Sequence, residues 1–273
     1  MSLLFQALSM GFMQRALLTG LFLCVPCALL GTFMVLRRQS MIGDGLSHFA
    51  FFAIGLGLLL GLAPLPFSIP LVLVASLLVI RLPDKASSAS TGGDVAIGMI
   101  SAAGLAAGVL LASLRSGSTL DLNAYLFGDI LTVTWLETVL ASGASLAVGL
   151  LLLLKYPELF ALTFDPSQAR VLGLRPAALT RLLALLTALT VVIGIRLVGS
   201  LLISGLLIFP AATALHVARS FKAALLYALL FALASVLFGI LLSFLLELPA
   251  GASIILLNGA LYLALLPLRK GRR

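Results

Sequence analysis

Long apolar segments follow one another along the chain, separated by short polar or charged stretches. The pattern predicts nine membrane-spanning helices, at residues 13–36, 41–62, 66–80, 94–114, 133–154, 177–195, 198–216, 223–246 and 249–268. At 1.5 Å per residue, most are long enough to cross a hydrocarbon core of about 30 Å, whereas the third and seventh are marginal. Strand-period alternation is missing, which argues against a β-barrel. We therefore expect an all-α polytopic protein with eight or nine transmembrane helices.

Composition supports a membrane location. The 273 residues are 62% hydrophobic and only 10% charged, against about 25% charged in an ordinary soluble domain. No stretch is long enough for a separate soluble domain, so we expect one transmembrane domain over residues 1–273. The first segment has arginines behind it rather than a small-residue cleavage site, so we expect a retained span rather than a signal peptide.

The net charge of +8 is better explained by topology than by nucleic acid. The sequence has no basic stripe interleaved with aromatic residues, so we expect no nucleic-acid partner. Cytoplasmic loops of membrane proteins collect Lys and Arg. If the loop after the first span is cytoplasmic, only Arg15, Arg115 and Arg196 of the 17 basic residues lie outside. This arrangement predicts an external N-terminus and a cytoplasmic C-terminus.

The seventh segment, 198–216, contains Gly199, Gly205 and Pro210, a composition typical of an interrupted helix that could line a cavity. We expect a kink at Pro210, because proline removes a backbone donor inside a helix. A re-entrant loop here would turn the basic C-terminal tail outward. The charge distribution therefore favours a full span.

The most polar stretch, 155–176, falls on the cytoplasmic side and predicts a short helix over about residues 165–173. Asp165 is suited to cap its N-terminus, Pro166 to occupy its first position and Gly173 to close it in the left-handed conformation. Its predicted apolar surface consists of Phe164, Ala169, Val171 and Leu172. Two interpretations remain open: a connector lying on lipid headgroups, or a docking element for a cytoplasmic partner.

Asp44 and His48 are the most unusual pair in the apolar segments. With Ser40 as the predicted N-cap, Asp44 lies within the first turn of the second span, and a four-residue spacing places both side chains on one face. Carboxylate and imidazole suit Zn²⁺ and Mn²⁺, but two ligands cannot hold an ion alone. A two-fold homodimer would supply four. Alternatively, Asp44 could cap the helix or pair with Arg37 or Arg38, and His48 could bridge helices.

Other polar residues have simpler interpretations. Cys24 and Cys27 lie in the middle of the first span, without the strand-to-helix setting of a redox pair, so we expect them to pack in the core. His216 ends the seventh span and is expected to anchor it at the membrane interface. Asp129 and Glu137 flank the start of the fifth span and are expected to be solvated end charges.

Four stretches carry a family likeness in collinear order: VLRRQSMIGDGLSHFAFFAIGLG (35–57), LFGDIL (126–131), FDPSQARVLGL (164–174) and LVGSLLISGLLIFPAATA (197–214). Together they resemble the permeases of bacterial ABC importers for zinc, manganese and iron. The resemblance implies a type II importer permease fold, a homodimer in the bacterial plasma membrane, a separate cytoplasmic ATPase and an extracytoplasmic metal-binding protein. The metal is then cargo, and no permanent cofactor is expected.

The same resemblance assigns roles to particular residues. Asp44 and His48 match the metal-coordinating positions of the second span, and the helix at 165–173 corresponds to the element that couples to the ATPase, through Asp165, Pro166, Ala169 and Gly173. The chain has no G-x-x-x-x-G-K-[ST] motif, so ATP must be bound by another subunit. We therefore expect a transport subunit rather than an enzyme.

One neighbouring function and two functions from other classes are the alternatives. An ABC importer of a metal chelate would need no direct ligands, and an ion-coupled secondary transporter should have inverted repeats and several intramembrane acids. An intramembrane enzyme is disfavoured because H-E-x-x-H and G-x-S-x-G are both absent.

The sequence does not distinguish zinc, manganese and iron. The topology also puts Asp44 toward the inner side, although the metal arrives from outside.

Overall fold

The computed structural model describes residues 9–85, 92–114, 128 and 130–267, and within them every regular element is helical. The helices are α1 (Gly11–Leu36), α2 (Met41–Leu59), α3 (Pro64–Lys85), α4 (Gly92–Leu114), α5 (Trp135–Leu154), α6 (Tyr156–Phe164), α7 (Pro166–Val171), α8 (Pro176–Val198), α9 (Ser200–Val217), α10 (Phe221–Leu246) and α11 (Ala250–Leu265). A 3₁₀ turn, Ile130–Thr132, precedes α5.

Each predicted span corresponds to one of these helices, with boundaries shifted by a few residues. Six helices, α1, α2, α5, α8, α9 and α10, are long and apolar enough to cross a membrane. The other three have shorter apolar stretches, Pro64–Ile80, Ile97–Leu111 and Ala250–Leu265. The prediction of an all-α polytopic membrane protein is confirmed.

Contacts at one end of the molecule agree with the predicted topology. Arg15 Nε donates to the Val133 carbonyl at 2.8 Å, and Arg196 forms an ion pair of 3.4 Å with Glu137. Both arginines were assigned to the outer side by charge, and both lie against the start of α5. At the opposite end of α1, the Arg37 guanidinium donates to Thr180 near the start of α8. Alternating crossings account for both sets of contacts.

The interruption expected in the seventh segment lies at its start. Gly199 separates α8 from α9 with φ +82°, a backbone region that favours glycine, while α9 continues through Pro210. Ser204 of α9 lies opposite Ser47 of α2, and Leu207 lies opposite Gly43. The two helices are therefore antiparallel. Ser204 and Ser47 lie at the same level, and from this level α9 extends less far outward than α2 does. The junction at Gly199, which we call the tip, therefore lies about 10 Å short of the outer end of α2.

Residue 128 covers this recessed tip. A Cβ on Gly128 would lie 2.1 Å from the Val198 carbonyl carbon and 2.7 Å from the Gly199 nitrogen, and Gly128 has φ +76°. Only a residue without a side chain fits there. Non-helical backbone at membrane depth is tolerated where protein covers it, which is the situation at this contact.

Helix α1 is the central packing element and approaches α9 through glycine. A Cβ on Gly31 would lie 1.9 Å from the Leu207 carbonyl oxygen, so the two backbones touch. Small residues at helix interfaces allow this close approach in membranes. Leu207 also meets Gly43 at the start of α2. The three helices α1, α2 and α9 therefore pack as one group around Leu207.

Candidate metal site and docking helix

Asp44 and His48 lie in the N-terminal half of α2, the half that the predicted topology places toward the cytoplasm. Counted from Met41, they stand about 4.5 and 10.5 Å along a helix of about 28 Å. Their side chains share a face, with Asp44 Oδ1 and His48 Nε2 3.6 Å apart, and 28% of the aspartate side chain and 12% of the histidine side chain are exposed. The pair is thus accessible yet partly enclosed by protein.

Helix α4 forms one wall of this site. Ser101 Oγ donates a hydrogen bond of 3.1 Å to Asp44 Oδ2, which leaves Oδ1 directed toward His48. One turn farther along α4, a Cβ on Gly104 would lie 3.1 Å from the His48 carbonyl, so glycine lets the two backbones approach closely. The same helix therefore orients the carboxylate and supports the backbone that carries the imidazole. Sequence patterns alone did not identify Ser101.

Helix α9 forms a second wall through serine hydroxyls. Ser47 Oγ donates to the Asp44 carbonyl at 2.8 Å and lies 3.0 Å from Ser204 Oγ. Ser204 Oγ in turn donates to the Ser200 carbonyl at 3.1 Å. This chain of hydroxyls fixes α9 against the turn of α2 that contains the pair. Serine is common in membrane helix interfaces, so sequence patterns do not reveal this role.

Two structural roles considered for Asp44 are not supported by the geometry. The Asp44 carboxylate accepts its hydrogen bond from the Ser101 hydroxyl rather than from a backbone nitrogen at the start of α2. The predicted Ser40 cap is also wrong, because the Ser40 side chain makes no capping hydrogen bond. The Arg37 guanidinium donates to Gln39 Oε1 and Thr180 Oγ1 rather than to Asp44. The interactions recorded for the Asp44 carboxylate are those with Ser101 and His48.

The distance between the two functional atoms suits ligation better than hydrogen bonding. At 3.6 Å, Oδ1 and Nε2 are too far apart for a good hydrogen bond. Two tetrahedral ligands about 2.0–2.2 Å from one Zn²⁺ lie roughly 3.3–3.5 Å apart. Among the described residues, no group of three or more His, Cys, Asp or Glu side chains could hold a metal. Among the described residues, Asp44 and His48 alone would therefore be too few to complete an ordinary four-ligand site.

The short cytoplasmic helix α7 forms as predicted. The Asp165 carboxylate accepts hydrogen bonds from the backbone nitrogens of Ser167 at 2.9 Å and Gln168 at 3.0 Å. Hydrogen bonds from the Ser167 hydroxyl and from these backbone groups lower the pKa of Asp165. Pro166 begins the helix, and Gly173 follows it with φ +77°. Asp165, Pro166 and Gly173 therefore define the shape of the element.

The exposed surface of α7 differs from the predicted one at a single residue. Ala169 is fully buried, so its predicted place on the apolar surface is wrong, because its side chain lies on the face that α7 packs against the protein. The exposed apolar residues are Val171, 87% exposed, together with Leu172 and Phe164. We call these three residues the docking surface.

The remaining polar candidates have local partners. Cys24 and Cys27 are free and buried, which agrees with core packing. His216 Nε2 lies 3.2 Å from the Leu266 carbonyl oxygen, so it ties α9 to the end of α11. Glu137 forms a capping box with Thr134 at the start of α5 and pairs with Arg196, rather than being simply solvated. Asp129 and Arg115 lie outside the described residues.

Comparison with known proteins decides the family. The model of the ABC 3 transport family matches residues 9–268. The chain belongs to the ABC 3 transport family. The match covers all of the described residues, including the Asp44 and His48 site on α2 and the docking surface.

Individual ABC 3 relatives extend over nearly the whole chain. The chain is 32% identical to the high-affinity zinc uptake system membrane protein ZnuB of Haemophilus influenzae, covering 90% of this chain and 94% of the relative. It is 31% identical to the manganese import system permease protein ScaB of Streptococcus gordonii, and the match covers 92% of this chain and 89% of ScaB. The structure of PsaBC from Streptococcus pneumoniae in complex with Fab includes a chain that matches this one with a TM-score of 0.85 and 29% sequence identity. The match covers 97% of this chain and 96% of the PsaBC chain.

Proposed function

We propose that the chain is the permease subunit of an ABC importer for a divalent metal ion, and that Asp44 and His48 bind the ion as it crosses the membrane. The zinc and manganese systems named for its relatives support a divalent metal as cargo. The observation that carries the residue assignment is the pair itself: an oxygen and a nitrogen 3.6 Å apart, with the carboxylate held by Ser101. Both are ordinary ligand atoms for Zn²⁺, Mn²⁺ and Fe²⁺.

The incomplete ligand set supports a homodimer as the working unit. An intramembrane acid is costly unless it faces protein, water or an ion, and a single Asp–His pair leaves an ion short of ligands. A two-fold axis beside the exposed edge of the pair would bring two carboxylates and two imidazoles together. Such a site would hold an ion without enclosing it in one chain, so the ion could still be released.

The cytoplasmic side supplies a place for the ATPase. Val171 and Leu172 extend from α7 into the cytoplasm, and exposed apolar side chains on a short, rigidly capped helix suit insertion into a groove of a partner. In this proposal Asp165, Pro166 and Gly173 shape the coupling helix and Ala169 packs it onto the protein. A separate ATPase then provides the energy, and an extracytoplasmic binding protein delivers the metal at the bacterial plasma membrane.

The ligand assignment is tested by metal uptake into proteoliposomes that contain the chain and its ATPase, supplied with the binding protein. We expect Asp44→Asn and His48→Ala to abolish uptake of zinc, manganese or iron, because each removes one ligand type from both halves of the site. The variants should still assemble and hydrolyse ATP. Uptake at the parental rate would contradict direct ligation and favour a chelate importer, which needs no such ligands.

A control variant tests whether loss of a polar side chain elsewhere in the neighbouring helix α4 impairs transport. Ser113→Ala removes an exposed hydroxyl of α4 that bonds its own helix at 2.8 Å, far from the pair along that helix. It should transport at the parental rate.

If import proceeds without ATP and is driven by a proton or sodium gradient instead, the chain is a secondary transporter and the ABC assignment fails.

A further inference from the structure

Five aromatic rings meet on the cytoplasmic side of the protein, and we call them the Phe221 cluster. Phe221, the first residue of α10, contacts the other four. Its ring centroid lies 5.2 Å from Phe33, 6.0 Å from Tyr156, and 5.5 Å from Phe160 and from Phe164. The Tyr156 ring stacks on Phe221, and those of Phe33 and Phe164 meet it edge to face. These are favourable aromatic geometries.

The members of the cluster come from three helices, α6, α1 and α10. Tyr156, Phe160 and Phe164 lie along α6, which leads directly into the docking helix α7, and Phe164 is itself part of the docking surface. Phe33 is on α1 and is only 1% exposed. The cluster therefore extends from the surface that would meet the ATPase to the buried centre of the helix bundle.

Phe221 is also tied closely to α9. Only residues 218–220 separate the end of α9 at Val217 from Phe221, and four residue steps can span at most about 13–14 Å. Ser220 caps α10 by accepting a hydrogen bond of 3.2 Å from the Ala223 nitrogen. Helices α9 and α10 also pack directly against each other. Nearer the outer end of α9, Ser204 contacts the turn of α2 that carries the Asp44–His48 pair.

We propose that Phe221 is a positioning residue that transmits movement of the docking helix to α9 and hence to the metal pair. This inference rests on the proposed function and adds the internal route by which the two sites communicate. Within the cluster, Phe221 is the ring that meets both the aromatic residues of α6 and Phe33 of α1. Helix α6 also contacts α1 and α8 directly, so loss of the ring should weaken the coupling rather than abolish it.

The test compares metal imported per ATP hydrolysed in proteoliposomes containing the whole complex. This ratio is independent of how much complex assembles, so a merely structural role would not change it. We expect Phe221→Ala to hydrolyse ATP but to import about fivefold less metal per ATP, which corresponds to a modest loss of coupling between sites. Phe221→Tyr keeps the ring and should restore the parental ratio.

A matched control comes from the other end of the same helix. Phe244→Ala removes the partner of Phe12, whose ring centroid lies 6.2 Å away, and it should leave the ratio unchanged. The proposal is overturned if Phe221→Ala imports the parental amount of metal per ATP, if Phe244→Ala lowers the ratio equally, or if Phe221→Tyr is as impaired as the alanine variant.

Two further variants keep the outcome decisive. If Phe221→Ala does not accumulate in the membrane, Phe221→Leu, which retains apolar volume without a ring, is judged by the same ratio. Val171→Asp tests the proposed function separately, because it places a charge on the docking surface and should detach the ATPase. Retention of the ATPase by Val171→Asp would remove the docking role, whereas a parental ratio in the Phe221 variants would remove only the route through the cluster.

Discussion

At the scale of single residues, the metal pair depends on neighbours that orient it. Ser101 donates to Asp44 Oδ2, which leaves the other carboxylate oxygen beside His48. A carboxylate held at one oxygen loses less rotational freedom when a metal binds at the other, since it is already oriented. In the proposed site, α2 would supply both ligands and α4 would hold one of them in place.

Removing the Ser101 hydroxyl should weaken metal binding without abolishing it. We expect Ser101→Ala to raise the metal concentration for half-maximal uptake about tenfold, since loss of a hydrogen bond to a metal ligand typically costs 10–100-fold in affinity. Ser101→Thr retains a hydroxyl and should stay near the parental value. The measurement is uptake as a function of metal concentration, and an unchanged half-saturation value for Ser101→Ala would exclude the orienting role.

At the scale of helices, glycine determines which elements can touch. Gly31 brings the backbone of α1 against the Leu207 carbonyl of α9, and Gly128 covers the Gly199 tip between α8 and α9.

The long apolar segments were predictable because hydrophobic length is the strongest signal in a membrane protein. The recessed tip was not, because glycines and prolines mark a possible break without saying how deep it lies.

Gly31→Ala should destabilise the helix bundle, whereas alanine in place of a lipid-facing glycine should not. A Cβ at Gly31 overlaps the Leu207 carbonyl oxygen, and overpacking of this kind costs about 1–3 kcal/mol. Gly143 of α5 has no heavy atom within 4 Å of an added Cβ, so Gly143→Ala should be neutral or slightly stabilising. The measurement is the midpoint temperature of thermal unfolding for each variant in detergent. Equal midpoints for the Gly31 and Gly143 variants would contradict the close packing of α1 on α9.

At the scale of the whole molecule, the sequence determined more of the fold than of the site. Asp44 and His48 were predictable because charged residues stand out in apolar helices, and the α7 cap because Asp165 and Pro166 have strong positional preferences. Ser101 and Phe221 were not, because serine and phenylalanine are ordinary in membrane helices and only the packing reveals their partners. Ala169 was placed on the wrong side, since a six-residue helix has too little periodicity to fix its buried face.

The proposed site is complete only in a dimer, and this is its central claim. Equilibrium binding of Mn²⁺ or Zn²⁺ to the purified permease–ATPase complex, with the amount of permease chain known, tests it most directly. We expect one tightly bound ion for every two permease chains, and we expect this binding to be lost in Asp44→Asn and in His48→Ala. Tight binding of one ion to each chain, or binding that survives both substitutions, would contradict it.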